Sequence, residues 1–371
     1  MSELIRLQVK PGAYMESQSG LQRSNPSIYG RYEAASRPSK TAFVVVHPTS
    51  NFHNHYLIPP LTRLGFHVLA LNTRYVGNDA MLLMERCIQD LGAGIGYLRR
   101  QGIEKIILIG NSGGGSLAAL YQQQAEHLTI ASTPDGLPFV LDKDDLPPVD
   151  ALAFVAAHPG RATQLLEKID GSVKDEGIDG ATDPELDMFN PNNGPSFSEE
   201  WVKRYRAAQA ARLRKIADWA EARLRAFPHG SIPADDAFVI RRTQADPRTV
   251  DLAIEPSARP VGTLGGDARA YNQSANGLAR FCTLRSFLSQ WSPWHSLAHG
   301  PSCLKTVAAP RTVISHTADQ TVFPSHVRAW AEAAGSGSEL FQLEGAPHYL
   351  ESDSEHATQL SRYLADFAGT L

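Results

Sequence analysis

The chain has 371 residues, 42% of them hydrophobic and 20% charged, with a formal net charge of −4. A length near that at which one core begins to split predicts either one large domain carrying an insertion or two domains. The charge balance argues against a polyanion-binding surface or an acidic tail, so no nucleic-acid partner is expected.

The first 40 residues predict edge strands over 3–9 and 29–34. From residue 41 a regular alternation begins. The run 42–47 is short, apolar and rich in valine, as in a strand buried on both faces. Pro59 and Pro60 suit the opening turn of a helix, and 66–71 reads as the next strand. Met84, Ile88, Leu91, Ile95 and Leu98 step by four and three, which predicts an amphipathic helix. Residues 105–110 predict a third buried strand, 116–121 a helix and 151–156 a fourth strand. Strands alternating with helices predict a parallel sheet covered on both sides.

The alternation stops over 160–305. This stretch holds Gly/Pro/Asn-rich loops and one long predicted helix, roughly 198–227, opened by Ser198 with acidic residues in its first turn. Eight Lys or Arg residues between 203 and 225 read as a solvated face mixed with acids. Strands return at 310–315 and 339–343, with a helix between them and a last helix over 354–367. The expected organisation is a core of 1–159 and 306–371 interrupted by an insertion over 160–305.

Cys87, Cys282 and Cys303 are scattered and odd in number, without the spacing of a disulfide framework or zinc site. The first residues lack the layout of a secretory signal, and no stretch approaches the ~20 apolar residues that span a bilayer. A cytoplasmic location away from membranes is the expectation.

The strongest local signal is Gly110, Asn111, Ser112, Gly113 and Gly114, which fits G-x-S-x-G between a predicted strand and a predicted helix. A serine on so sharp a turn needs minimal neighbours, and the following helix N-terminus favours a developing oxyanion. Phosphate binding by a glycine-rich loop is the rival reading. Neither G-x-G-x-x-G from Gly110 nor G-x-x-x-x-G-K-[ST] is matched. A serine nucleophile needs a base and an orienting acid, which follow an elbow serine in the order acid, histidine. Asp319 and His348 lie in that order, each just beyond a predicted strand, the edge where α/β sheets place their sites. His316 precedes the acid and His356 falls within a predicted helix. Glu344 and Glu351 sit too close to His348 to reach its far ring nitrogen with ease.

On these residues the chain resembles the α/β-hydrolase superfamily over 41–158 and 305–371, with a largely helical lid inserted after the sixth strand. The resemblance implies a mostly parallel sheet with helices on both faces, the triad Ser112, Asp319 and His348, and no cofactor or metal. It also implies a second oxyanion donor after the third strand, beside the Gly113 N–H. Pro48 replaces the glycine often found after His47 and has no N–H, so the donor falls to Thr49 or Ser50. His47, Asn72, Arg74 and His158 sit near strand ends and are substrate-pocket candidates. His47, His53 and His55 match no metal-ligand spacing.

The expected reaction is cleavage of a carboxylic ester, lactone, amide or thioester through an acyl-enzyme. Carbon–carbon hydrolysis of a diketone and acyl transfer to another acceptor share the same residues. A ligand-binding protein without catalysis would usually lack one of the three. Trp201, Trp219, Phe281, Phe287, Trp291 and Trp294 suggest a small-molecule substrate with an apolar or aromatic part, or else pack the insertion. Trp291, Trp294 and the basic helix are candidates for a homodimer contact.

Overall fold

A computed structural model of the chain describes residues 2–11, 26–178, 180–227 and 233–371; the parts of the expected core and insertion at 1, 12–25, 179 and 228–232 lie outside them. Eight strands form one sheet: β1 (Ser2–Gln8), β2 (Ser27–Glu33), β3 (Thr41–His47), β4 (His67–Asn72), β5 (Lys105–Asn111), β6 (Ala151–Val155), β9 (Arg311–His316) and β10 (Glu339–Leu343). β7 (Ala237–Phe238) and β8 (Cys282–Thr283) pair separately as a short antiparallel ribbon. The order across the large sheet is β1-β2-β4-β3-β5-β6-β9-β10. β1 with β2 and β2 with β4 are antiparallel, and every later pair is parallel.

The apolar runs are continuous because both faces of the central strands are covered. Val44 and Val46 of β3, Leu69 and Leu71 of β4, and Leu108 of β5 join one core. Their neighbours Phe43, Val45, Val68, Ala70, Ile107 and Ile109 join the other. Successive side chains point to opposite faces, so burial on both sides demands an apolar residue at every position. The edge strands follow the other rule. In β1 only alternate residues, such as Ile5 and Leu7, are buried, which is the pattern of a sheet edge with one wet face.

The expected strands and helices of the core are present, with most ends shifted by a residue or two and the helix expected over 116–121 extended to Glu126. The amphipathic helix spans Met84–Arg100, and the helix after the elbow runs from Gly114 to Glu126. The segment between β6 and β9 lies outside the sheet and packs small cores of its own, one around Leu213, Leu284, Phe287 and Trp291 and another around Met188, Phe197 and Tyr205. Near its end the chain rejoins the main core, where Ala298, Cys303 and Leu304 are buried.

The long helix spans Glu199–Ala226, with the Ser198 side chain accepting from the Trp201 N–H. Its basic residues are not all solvated. Arg214 pairs with Asp218 on the surface. Arg206 and Arg212 turn inward, where they bind Asp246 and Glu176. Sequence periodicity also missed shorter helices in this segment, Arg161–Lys168 and Leu284–Gln290 among them. Among the described residues no helix is long and apolar enough to cross a membrane.

Candidate active site

β5 ends in the turn that carries Ser112. Its φ of 54° lies in the left-handed region, a conformation that costs an L-residue roughly 1–2 kcal/mol. The backbone around it is packed so closely that side chains are excluded. A Cβ on Gly114 would overlap the carbonyl oxygen of Val46, and one on Gly113 would lie 2.8 Å from His47 Nε2. The glycines of the motif are therefore required by the approach of β3 and its following loop, as well as by the turn itself.

β9 and β10 bring the other two groups to the same edge. His348 Nε2 lies 2.9 Å from Ser112 Oγ, and His348 Nδ1 lies 2.6 Å from Asp319 Oδ2. All three side chains are buried. Asp319 Oδ1 accepts the backbone N–H groups of Thr321 at 2.7 Å and Val322 at 3.0 Å. Burial alone would raise the Asp319 pKa; the charge and hydrogen bond of His348, with those two N–H groups, outweigh it and hold the carboxyl below its ordinary value. Asp319 is thus a fixed carboxylate with one oxygen for the loop and one for the imidazole.

The competing residues have other work. His316 Nδ1 lies 2.7 Å from the carbonyl oxygen of Pro347 and so braces the loop that carries His348. His356 Nε2 is 2.9 Å from the carbonyl oxygen of Glu344, and the Glu344 carboxylate accepts the Thr317 hydroxyl.

In the loop after β3 the two N–H groups expected to supply the second oxyanion donor meet the His47 ring. The N–H groups of Thr49 and Ser50 both donate to His47 Nδ1, at 3.1 and 2.8 Å. With Nδ1 as acceptor, the ring proton of neutral His47 sits on Nε2, the atom that faces Gly113. Burial, followed by the Arg161 charge and the His348 and His55 imidazoles, lowers the His47 pKa to about 3, so the ring stays neutral. The Gly113 N–H donates to no protein acceptor among the described residues. The turn to Nδ1 could not be read from the sequence; Pro48, which bends this loop, was its only signal.

Of the pocket candidates, His47 and His158 line the cavity into which Ser112 opens, whereas Asn72 and Arg74 do not. The Asn72 side chain pins the loop after β3, accepting from the Phe52 N–H and donating to Asn51. Arg74 is held in a buried pair with Asp90 at 2.7 Å. The histidine cluster disperses as well: His55 Nε2 lies 3.1 Å from Asn111 Oδ1, and His53 approaches the Tyr29 carbonyl. Among the described residues no group of three His, Cys, Asp or Glu side chains converges on a metal position.

The Ser112 cavity measures about 290 Å³, and part of its wall comes from the segment between β6 and β9 through Arg161, Gln164, Lys168 and Trp291. Only Trp291 of the six aromatics singled out from the sequence reaches it, and the Arg161 guanidinium covers that ring at 4.1 Å. Trp291 is buried, so it forms no surface contact, while Trp219 and Trp294 are exposed. The wall is polar rather than apolar. A larger hollow of about 760 Å³ lies within the segment between β6 and β9 and is lined by none of Ser112, Asp319 and His348.

No protein-family model and no curated protein matches the sequence. Solved structures do align with it. The structure of DcsB in complex with its substrate analogue aligns over 99% of this chain and 99% of its own, at a TM-score of 0.51 and 12% identity. The chain has the α/β-hydrolase fold. Further structures similar to it include the esterase domain of a Rhodothermus marinus protein, with 99% and 98% of the two chains covered, a TM-score of 0.47 and 13% identity. The Paleococcus ferrophilus monoacylglycerol lipase aligns over 92% of this chain and 98% of its own, at a TM-score of 0.47 and 13% identity. Within this fold the elbow serine after β5, the acid after β9 and the histidine after β10 occupy the C-terminal edge of the sheet.

Proposed function

We propose that the protein is a serine hydrolase that cleaves a carboxylic ester, or a related lactone, amide or thioester, through an acyl-enzyme on Ser112. The observation that carries this reading is the chain of contacts Ser112 Oγ to His348 Nε2 and His348 Nδ1 to Asp319. Ser112 Oγ bonds to the carbonyl carbon while its proton passes to His348 Nε2. That proton then goes to the departing alcohol as the carbon–oxygen bond breaks. Water attacks the acyl-enzyme in the same manner and releases the acid. Asp319 holds the imidazole with its proton on Nδ1 and stabilises the cation formed at each step. The insertion acts as a lid over the strand ends, excluding water from the cavity it helps to wall.

In this mechanism the oxyanion is held by the Gly113 N–H and His47 Nε2–H. A buried neutral imidazole is a suitable electrophile, because it donates a hydrogen bond without giving up a proton. His47→Leu is expected to lower kcat about 10²–10³-fold, as removal of one oxyanion donor does. KM for a short ester should change little, and His47→Gln, which keeps an N–H donor, should recover part of the loss. A defect confined to KM in steady-state assays would return the role to the loop backbone.

Labelling tests the whole reading. A neutral fluorophosphonate is expected to modify the wild-type chain at one position, identified as Ser112 by peptide mass spectrometry, and to abolish hydrolysis of 4-nitrophenyl acetate in proportion. Hydrolysis that survives complete labelling of Ser112, or a failure of both labelling and hydrolysis, would rule the mechanism out.

A further inference from the structure

The helix Arg161–Lys168 presents Arg161, Gln164 and Lys168 to the Ser112 cavity. Spacings of three and four residues put them on one face, and all three are buried. A buried charged stripe of this kind requires partners. Arg161 has one, the Asp79 carboxylate. Lys168 forms no ion pair among the described residues. There its ammonium group makes a single hydrogen bond, 2.6 Å to the neutral hydroxyl of Thr321, although it carries three donors.

The carboxylates around Lys168 are each engaged by other side chains. Asp246 is bound by Arg206 and Arg248, both at 2.7 Å. Glu167 accepts from Arg248 at 2.6 Å and lies 2.7 Å from His326. Asp319 is held by His348. Burial is the main influence on the amine and pulls its pKa down to about 8, against the opposing pull of Asp246, so it is still largely protonated at neutral pH. A positive charge with two free donors therefore faces a small polar cavity beside the nucleophile.

We propose that Lys168 forms an anion subsite, and that the substrate cleaved at Ser112 carries a carboxylate on its acyl or alcohol part. The proposal rests on the serine-hydrolase reading and specifies its substrate class. Gln164 lies one helical turn before Lys168 on the cavity wall and offers the same carboxylate an amide N–H. A bound carboxylate would accept directly from the ammonium group, which no carboxylate among the described residues does, and such charge-assisted hydrogen bonds are the strong ones.

Two matched pairs of esters test this: mono-4-nitrophenyl adipate against 4-nitrophenyl hexanoate for the acyl part, and 4-acetoxybenzoate against phenyl acetate for the alcohol part. In at least one pair the wild type should favour the anionic ester by about 10- to 100-fold in kcat/KM, the range of a hydrogen-bonded charge. Lys168→Met should collapse that ratio towards one, chiefly through KM for the anionic ester. No anionic preference in either wild-type pair would overturn the proposal. So would an undiminished ratio in Lys168→Met, including a parallel loss on both esters, which would make Lys168 a positioning residue for the Thr321 loop. Fluorophosphonate labelling of Ser112 in both proteins separates the two failures. Labelled but non-selective protein removes the anion subsite alone, whereas absent labelling in the wild type removes the hydrolase reading and this inference with it.

Discussion

Replacement of Ser112 by alanine is expected to lower kcat for a 4-nitrophenyl ester by about 10⁶-fold, the scale on which loss of a serine nucleophile disables a triad. Without Oγ, His348 has no proton to accept at the right place, and the acyl-enzyme cannot form. What survives should be slow attack by water in a site that still binds the ester, so KM should change far less than kcat. A second variant separates chemistry from folding. Ser112 sits at φ 54°, and alanine inherits the same backbone strain. Ser112→Gly removes the Cβ that makes the left-handed region costly, so it should be more stable than Ser112→Ala by about 1 kcal/mol. Both variants should be equally inactive. Thermal denaturation would show the order Gly above Ala if the elbow stores strain for function. Retention of more than a small fraction of activity in either would exclude Ser112 as the nucleophile.

Asp319→Asn should cost about 10⁴-fold in kcat, and the structure explains why an isosteric change is so damaging. Asp319 Oδ1 accepts two backbone N–H groups, from Thr321 and Val322. An asparagine here must keep its carbonyl oxygen towards those donors, since its NH₂ group cannot accept from them. The NH₂ then takes the place of Oδ2 against His348 Nδ1. Two donors cannot share a hydrogen bond, so the imidazole must move its proton to Nε2, which can no longer accept from Ser112. The variant should fold, bind ester and react only sluggishly with a fluorophosphonate. Steady-state kinetics and labelling rates measure this together; a loss below tenfold would mean that Asp319 does not set the tautomer.

Much of this arrangement was legible in the residues. Ser112, Asp319 and His348 each follow an apolar run, and a strand end at the C-terminal edge of a parallel sheet is a predictable place. The helix Glu199–Ala226 was readable from Ser198 and the acids behind it, because a helix start is a local hydrogen-bonding problem. Its inward-facing Arg206 and Arg212 were not, since a basic residue looks the same whether its carboxylate is nearby in sequence or far away. Arg74 shows the same limit. Its place after β4 suggested a pocket, yet Asp90, a turn into the next helix, binds it in a buried pair.

The sequence alone therefore determined the order of elements, the two-sided burial of the central strands and the three residues at their ends. These depend on periodicity and on turn chemistry, which act between residues close along the chain. Tertiary structure decided what those residues face. His47 turns Nδ1 to its own loop and Nε2 to Gly113, Trp291 alone of the six aromatics reaches the Ser112 cavity, and Lys168 lines that cavity without an ion pair among the described residues. Each of these outcomes depends on which donors and acceptors meet across long separations in sequence, where burial makes every unmatched charge costly and no local pattern records the partner.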